Sequence, residues 1–165
     1  MSARPHLIAI IGACTLLAAS GQKIPRLVWN ATGSAPIGLY RVVTGEPLHH
    51  GDLVLALPPR AIQEFAARRG YLPRGVPLVK HLAALARDRI CASREFITIN
   101  GRSVAARLPT DRLHRSLPAW TGCRTLAASD VFLLNPDITT SFDGRYFGLI
   151  STTAIIGKLV PLWTR

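Results

Sequence analysis

Two side chains, a serine and a lysine, carry the chemistry most readily seen in this sequence. Ser34 lies in Asn30-Ala31-Thr32-Gly33-Ser34-Ala35-Pro36-Ile37-Gly38, with a glycine before it and a proline two residues after it. A hydroxyl on a turn constrained in this way stays exposed at the start of a strand, where it can act as a nucleophile. Lys80 closes Val76-Pro77-Leu78-Val79-Lys80, with Leu82 and Ala83 just beyond it. An apolar setting disfavours the charged ammonium, so the lysine pKa falls from about 10.4 toward about 7 to 8, the range a general base needs. A third segment, Ser141-Phe142-Asp143-Gly144-Arg145-Tyr146-Phe147-Gly148, follows Asn135-Pro136-Asp137 late in the chain. Each element also has a plainer reading: an ordinary turn serine, a lysine stem lying along an edge strand with its ammonium in water, and a solvated Asp-Gly-Arg turn.

Other chemistries find less support. Acid pairs for glycoside hydrolysis, the G-x-x-x-x-G-K-[ST] phosphate loop and the G-x-G-x-x-G dinucleotide fingerprint are absent. Cys14, Cys91 and Cys123 lack the C-x-x-C spacing of a tetrahedral zinc site, so neither a metal nor a cofactor is expected. His49 and His50 sit beside a turn at Gly51, His81 follows Lys80, and His114 lies among arginines. A serine triad would need a carboxylate to hold one of these rings, an arrangement the sequence leaves open.

The elements that must position these groups belong to a chain of 165 residues, 48% hydrophobic and 18% charged. That length predicts one domain with a real core, and the apolar content excludes a disordered basic tail. The 20 Lys plus Arg against 9 Asp plus Glu leave a formal charge of +11, which fits an anionic partner, either nucleic acid or a membrane face. Only Lys23, Lys80 and Lys158 are lysines, so a basic group able to release its proton is rare.

Arg4 precedes an uncharged apolar run over residues 7–19, too short for a full span but suited to a signal-peptide core or a short anchor. Residues 1–21 are therefore expected to be a signal peptide or membrane anchor and residues 22–165 the folded domain, with a buried first helix as the alternative. Ala18 and Ser20 could form a cleavage site, so removal and retention both fit. With export, Cys14 falls in the targeting segment and Cys91 and Cys123 are free to pair in an oxidising compartment. Short apolar runs over 24–29, 38–43, 53–57, 76–82, 90–99, 131–135 and 153–160, with turns between them, predict a mainly β fold. Asn100-Gly101 predicts a type I′ hairpin turn. Residues 60–69 predict a helix with Ile62, Phe65 and Ala66 on one face. Residues 102–130, rich in arginine and poor in period, are expected to be a loop-rich insertion.

The Ser34 turn, the apolar Lys80 and the late S-x-D-x-R-x-x-G, taken in that order, resemble the type I signal peptidase family, most closely its conjugal-transfer, TraF-type branch. The resemblance runs from the N-terminal apolar segment to Ile155-Ile156-Gly157-Lys158. It implies a signal-peptidase-like, β-rich catalytic core with an N-terminal apolar helix. The location implied is the periplasmic face of the bacterial inner membrane, or the periplasm if residues 1–20 are cleaved. Carried over by residue, it makes Ser34 the nucleophile and Lys80 the general base. The Ser34 N–H and the Thr32 hydroxyl would hold the oxyanion, donors worth about 3 to 4 kcal/mol of barrier each. Ser141 would orient the lysine amine, and Asp143 and Arg145 would pair to brace their loop. In this branch the aspartate is also associated with peptide joining.

The activity implied is that of a membrane-associated serine endopeptidase that processes, and can cyclise, a pilin precursor for conjugative plasmid transfer, with no cofactor. Its partners would be the pilin precursor, the anionic inner-membrane surface and other conjugation machinery proteins, with no direct contact to nucleic acid. The rival reading is a noncatalytic periplasmic component of a conjugation or type IV secretion machine, holding a partner protein or anionic membrane through its arginines. Two departures stand out: general signal peptidases favour a bulky apolar residue where Ala35 stands, and a G-D-N-R pattern is reduced to Asn135-Pro136-Asp137. Both point toward the smaller conjugation enzyme. Gly51-Asp52-Leu53-Val54 matches a structural strand of the family.

Overall fold

The apolar runs fold into eleven strands in a computed structural model of the protein, which describes residues 24–165. The expected signal or anchor segment, with Cys14, lies outside the described residues. In chain order the strands are β1 (Leu27–Asn30), β2 (Gly38–Val43), β3 (Leu53–Ala56), β4 (Leu78–Ala84), β5 (Arg89–Ala92), β6 (Phe96–Ile99), β7 (Arg102–Ala106), β8 (Gly122–Thr125), β9 (Asp130–Leu134), β10 (Ile150–Ser151) and β11 (Ile155–Thr164). Helix α1 (Arg60–Arg68) precedes β4, and the single turn α2 (Gly144–Phe147) precedes β10. A seven-stranded sheet runs β1-β2-β11-β3-β4-β9-β10 and a four-stranded sheet runs β7-β6-β5-β8. The pairings are antiparallel throughout.

Strand β9 is buried on both faces and joins two parts of the core. Phe132 and Leu134 pack with Ile90, Ala92 and Ile97 of the smaller sheet, while Val131 and Leu133 pack with Val54 and Leu82 of the larger one. Alternation along the strand makes this possible, because successive side chains point to opposite faces. A third cluster of Ala35, Tyr40, Leu55, Val79 and Leu159 lies beneath the Ser34 turn. Gly144 is required where α2 meets β9, since a Cβ there would stand 2.5 Å from the Phe132 ring and 2.7 Å from the Leu133 carbonyl oxygen.

The expected hairpin at Asn100-Gly101 forms between β6 and β7, with φ of 51° and 81° at the two turn residues. The run 90–99, expected as one strand, is two. Ser93 breaks it by accepting the backbone N–H groups of Phe96 and Glu95 on its hydroxyl oxygen, at 2.9 and 3.2 Å. The segment 102–130, expected to be loop-rich, begins with β7 and carries β8 near its end, with irregular chain between them. Strand β8 is exposed along its whole length, so it carries no apolar period to announce it.

Strand β8 is held to β5 by its ladder and by a disulfide between Cys91 and Cys123, which face each other in the register. The bridge closes a loop with a sequence separation of 32 residues. Replacing both cysteines by serine is expected to cost about 2 to 4 kcal/mol through the freed unfolded chain. Urea denaturation checks this, and an unchanged midpoint would contradict it.

Candidate active site

The Ser34 turn is built by the side chain of Asn30, which ends β1 and is buried. Its amide nitrogen donates to the carbonyls of Thr32, Ala35 and Pro36 at 3.1, 3.1 and 2.9 Å. Its oxygen accepts from the Thr32 N–H at 3.1 Å and from the Thr32 hydroxyl at 2.8 Å. One asparagine thus satisfies the polar groups of a reversal that has no ladder of its own. Tyr40 adds a bond from its hydroxyl to the Pro36 carbonyl at 2.6 Å. Ala35 is buried, and Ser34 is left half-buried with its hydroxyl 3.3 Å from that of Thr32. Because Thr32 gives its one proton to Asn30, it is Ser34 that donates in this contact.

Lys80 sits on β4 in register with Val54 and is 3% exposed. Its ammonium donates to the Ser141 hydroxyl at 2.8 Å, and Ser141 is itself buried. Burial lowers the Lys80 pKa from 10.5 to about 8, with Asp143 acting to raise it and Arg145 to lower it. The plainer reading of an edge-strand lysine snorkelling into water does not hold, since β4 lies between β3 and β9.

The loop that carries Ser141 hangs on Arg145. Its guanidinium grips Asp143 with two bonds of 2.9 Å, Nε to Oδ1 and Nη2 to Oδ2. The same side chain donates to the carbonyls of Asn135 and Ile138 at 2.7 Å and of Ala106 and Thr139 at 3.3 Å. Both members of the pair are fully buried, so the solvated-turn reading of Asp-Gly-Arg is excluded. Neither lines the cavity described next.

Ser34, Lys80, Thr32 and Ser141 line one cavity of about 1050 Å³, whose remaining wall is mostly apolar, with Val28, Leu72, Leu78 and Phe142 among its members. The rim is set by aromatic packing: the Phe142 ring lies 5.5 Å from Phe65 of α1 and 5.3 Å from Tyr71. None of the described histidines lines the cavity. His50 pairs with Asp88 at 2.6 Å and His81 contacts the Gly51 carbonyl at 3.1 Å, whereas Lys80 shares the cavity with Ser34. Among the described residues no group of three or more His, Cys, Asp and Glu side chains is placed to hold a metal ion.

Over residues 3–163 the sequence matches the family described as signal peptidase, peptidase S26. The chain belongs to the S26 signal peptidase family. Among the relatives of this S26 chain, a plasmid transfer protein TraF of Escherichia coli is 31% identical, covering 95% of this chain and 93% of that one. A conjugal transfer protein TraF of Agrobacterium fabrum is 34% identical, covering 82% and 81% of the two chains. A crystal structure of a signal peptidase I from Enterococcus faecalis superposes with a TM-score of 0.42 and 19% identity, covering 70% of this chain and 98% of that one.

Two residues that build the candidate site carry no role in the sequence analysis. Asn30 was visible only as the first residue of the serine motif, although an asparagine before a turn is a known local acceptor. Asn135 stood in a shortened motif with no role assigned. Its amide nitrogen donates to the Ser34 carbonyl and, at 3.4 Å, to that of Val79, while its oxygen accepts the His81 N–H at 3.1 Å. Its own N–H donates to Asp143 at 3.1 Å. Asn135 therefore ties the serine turn, the lysine strand and the buried ion pair into one unit.

Proposed function

We propose that this S26 chain is a membrane-associated serine endopeptidase of conjugative transfer in which Ser34 is the nucleophile and Lys80 the general base. The observation that carries the reading is a deeply buried lysine, losing its proton near pH 8, on the wall of a cavity that also holds a serine on a rigid turn. In the neutral amine, Nζ takes the Ser34 proton as Oγ attacks the scissile carbonyl carbon. The ammonium then gives that proton to the departing amine, leaving an acyl-enzyme. Water, or a peptide amine in its place, attacks the acyl carbon as Lys80 accepts its proton, and the ester bond to Oγ breaks as Lys80 returns that proton to Ser34, releasing either an acid or a new peptide bond. The Ser34 N–H and the Thr32 hydroxyl stabilise the oxyanion, the latter after its proton swings away from Asn30. Ser141 holds Nζ in place between these transfers.

Relatives named as plasmid and conjugal transfer proteins support placing the activity in conjugation. The substrate we propose there is a pilin precursor. Trp29 and Trp163 stack at 5.7 Å at the β1 end of the larger sheet, with Leu27 and Leu162 exposed and Arg26, Arg41 and Arg165 around them. Amphipathic aromatics flanked by arginine suit the interface of an anionic bilayer. Among the described residues no helix is long and apolar enough to cross a membrane.

A serine-directed phosphonate probe, applied across pH 6 to 10, tests the reading. Labelling at Ser34 that rises with a midpoint close to the about 8 of Lys80 is expected. Failure of the folded protein to label at any pH would overturn it and favour a noncatalytic binding role.

A further inference from the structure

The cavity wall holds charge that the proposed chemistry does not use. Besides Lys80, its charged members are Arg69, Asp111, Arg112 and Arg115. Asp111 is fully engaged: its carboxylate accepts from the Tyr71 hydroxyl at 2.6 Å, from Arg115 Nη2 at 2.7 Å and from Arg69 Nη1 at 3.5 Å. These bonds, with those from the backbone N–H groups of Leu113 and Arg115, outweigh the effect of burial and hold Asp111 well below the usual carboxylate range. The two guanidiniums it serves are engaged as well. Arg69 donates to the Ser116 carbonyl and lies over the Phe65 ring, while Arg115 donates to the Arg69 carbonyl and lies over Tyr71.

Arg112 is different. It is exposed, and among the described residues it has no carboxylate partner and a single side-chain hydrogen bond, Nη2 to the Thr140 hydroxyl at 3.3 Å. The loop presenting it is stiff, closed by a bridge between Thr110 and Ser116 and by the Asp111 N–H bond to the Arg115 carbonyl at 3.0 Å. Thr140 directly precedes Ser141, the residue that holds the Lys80 amine. The result is a guanidinium with donors to spare on the wall of a largely apolar cavity that also holds Ser34 and Lys80.

We infer that Arg112 is a carboxylate-binding residue of this cavity, taking either an acidic side chain or a free C-terminal carboxylate of the bound peptide. The inference rests on the proposed peptidase reading and adds a specificity element to it. A guanidinium presents two parallel N–H groups that match a carboxylate, and no acidic residue of the wall competes for it.

A fluorogenic peptide library tests it, with each position in turn carrying Glu, Gln or Lys and the C-terminus either free or amidated. Hydrolysis is measured with the parent protein, and binding is measured by fluorescence anisotropy with Ser34→Ala. In the parent, one Glu position or the free C-terminus is expected to lower KM and Kd about tenfold over its neutral counterpart, with kcat little changed. Which of the two does so identifies the source of the carboxylate. Arg112→Gln is expected to bring that ratio to about one, Arg112→Lys to keep part of it, and Arg112→Glu to invert it in favour of Lys-bearing peptides. Arg94→Gln, an exposed arginine outside the cavity, controls for the overall positive charge and leaves the ratio intact. A parent without carboxylate preference, or an Arg112→Gln variant that retains it, overturns the inference. Failure of the parent to cut any peptide counts against the peptidase reading instead, since binding to Ser34→Ala still reports the preference.

Discussion

Lys80→Met is expected to abolish peptide hydrolysis while making the protein more stable below pH 8. The loss of activity follows from removing the proposed base: without it Ser34 keeps its proton, and a fall of about 10⁴-fold or more is in keeping with losing one member of a nucleophile–base unit. Ser34→Ala should match that loss with little change in stability. The gain in stability has a separate cause. Lowering the Lys80 pKa from 10.5 to about 8 means that keeping its proton in the folded state costs about 3 kcal/mol at neutral pH. Between those two pKa values the unfolded chain binds more protons than the folded one, so Lys80's contribution to stability improves as pH rises from 8 to 10.5. Below pH 8 the penalty is present in full. Methionine has a similar length and no charge, and it removes the penalty at the expense of the Ser141 bond, worth about 1 kcal/mol. The net gain of about 2 kcal/mol corresponds to a Tm about 4 to 8 °C higher. Thermal melts at pH 6.5 and pH 10.5 read this directly: the advantage of the variant should be largest at the lower pH and shrink at the higher. A variant that still hydrolyses peptide, or melts below the parent at pH 6.5, contradicts the account.

Arg145→Met should destabilise the fold by about 3 to 5 kcal/mol or more. It strands the Asp143 carboxylate with no counter-charge in a fully buried site, the situation in which breaking an ion pair is most costly. It also deprives the Asn135, Ile138, Ala106 and Thr139 carbonyls of their donor. Against a total of about 5 to 15 kcal/mol for a domain, that is a large share. Adding Asp143→Asn should recover the charge penalty but not the carbonyl bonds, so the double variant falls between the single variant and the parent. Urea unfolding measures both, and an Arg145→Met midpoint close to that of the parent would show that the pair does not carry the loop.

Both predictions act on residues that could be picked out from sequence, but for reasons that could not. Lys80 was recognisable from its apolar neighbours and the scarcity of lysine, yet an edge strand would have placed the same residues beside water. Its position between β3 and β9 removes the ammonium from solvent. Ser34 was marked by Gly33 and Pro36, while the side chain that builds its turn, Asn30, looked like flanking sequence. The strand at 122–125 was missed because every residue of it faces solvent, leaving only backbone pairing and one cysteine to define it.

Local chemistry determined what the sequence could determine alone. Turn residues, apolar alternation and the order of the three motifs depend on neighbours a few positions apart, so the mainly β character, the hairpin at Asn100-Gly101, the helix near residues 60–69 and the candidate serine and lysine were all legible. Tertiary structure decided how those pieces meet. The Lys80 bond to Ser141 spans 61 residues and the Asn135 bond to Ser34 spans 101. The tether from Arg112 to Thr140 spans 28. No local pattern encodes such pairs, because each depends on which strands become neighbours, and that is settled by how the whole chain buries its apolar faces. The order β3-β4-β9 and the buried Asp143–Arg145 brace turn three separate motifs into one cavity wall with an amine able to give up its charge.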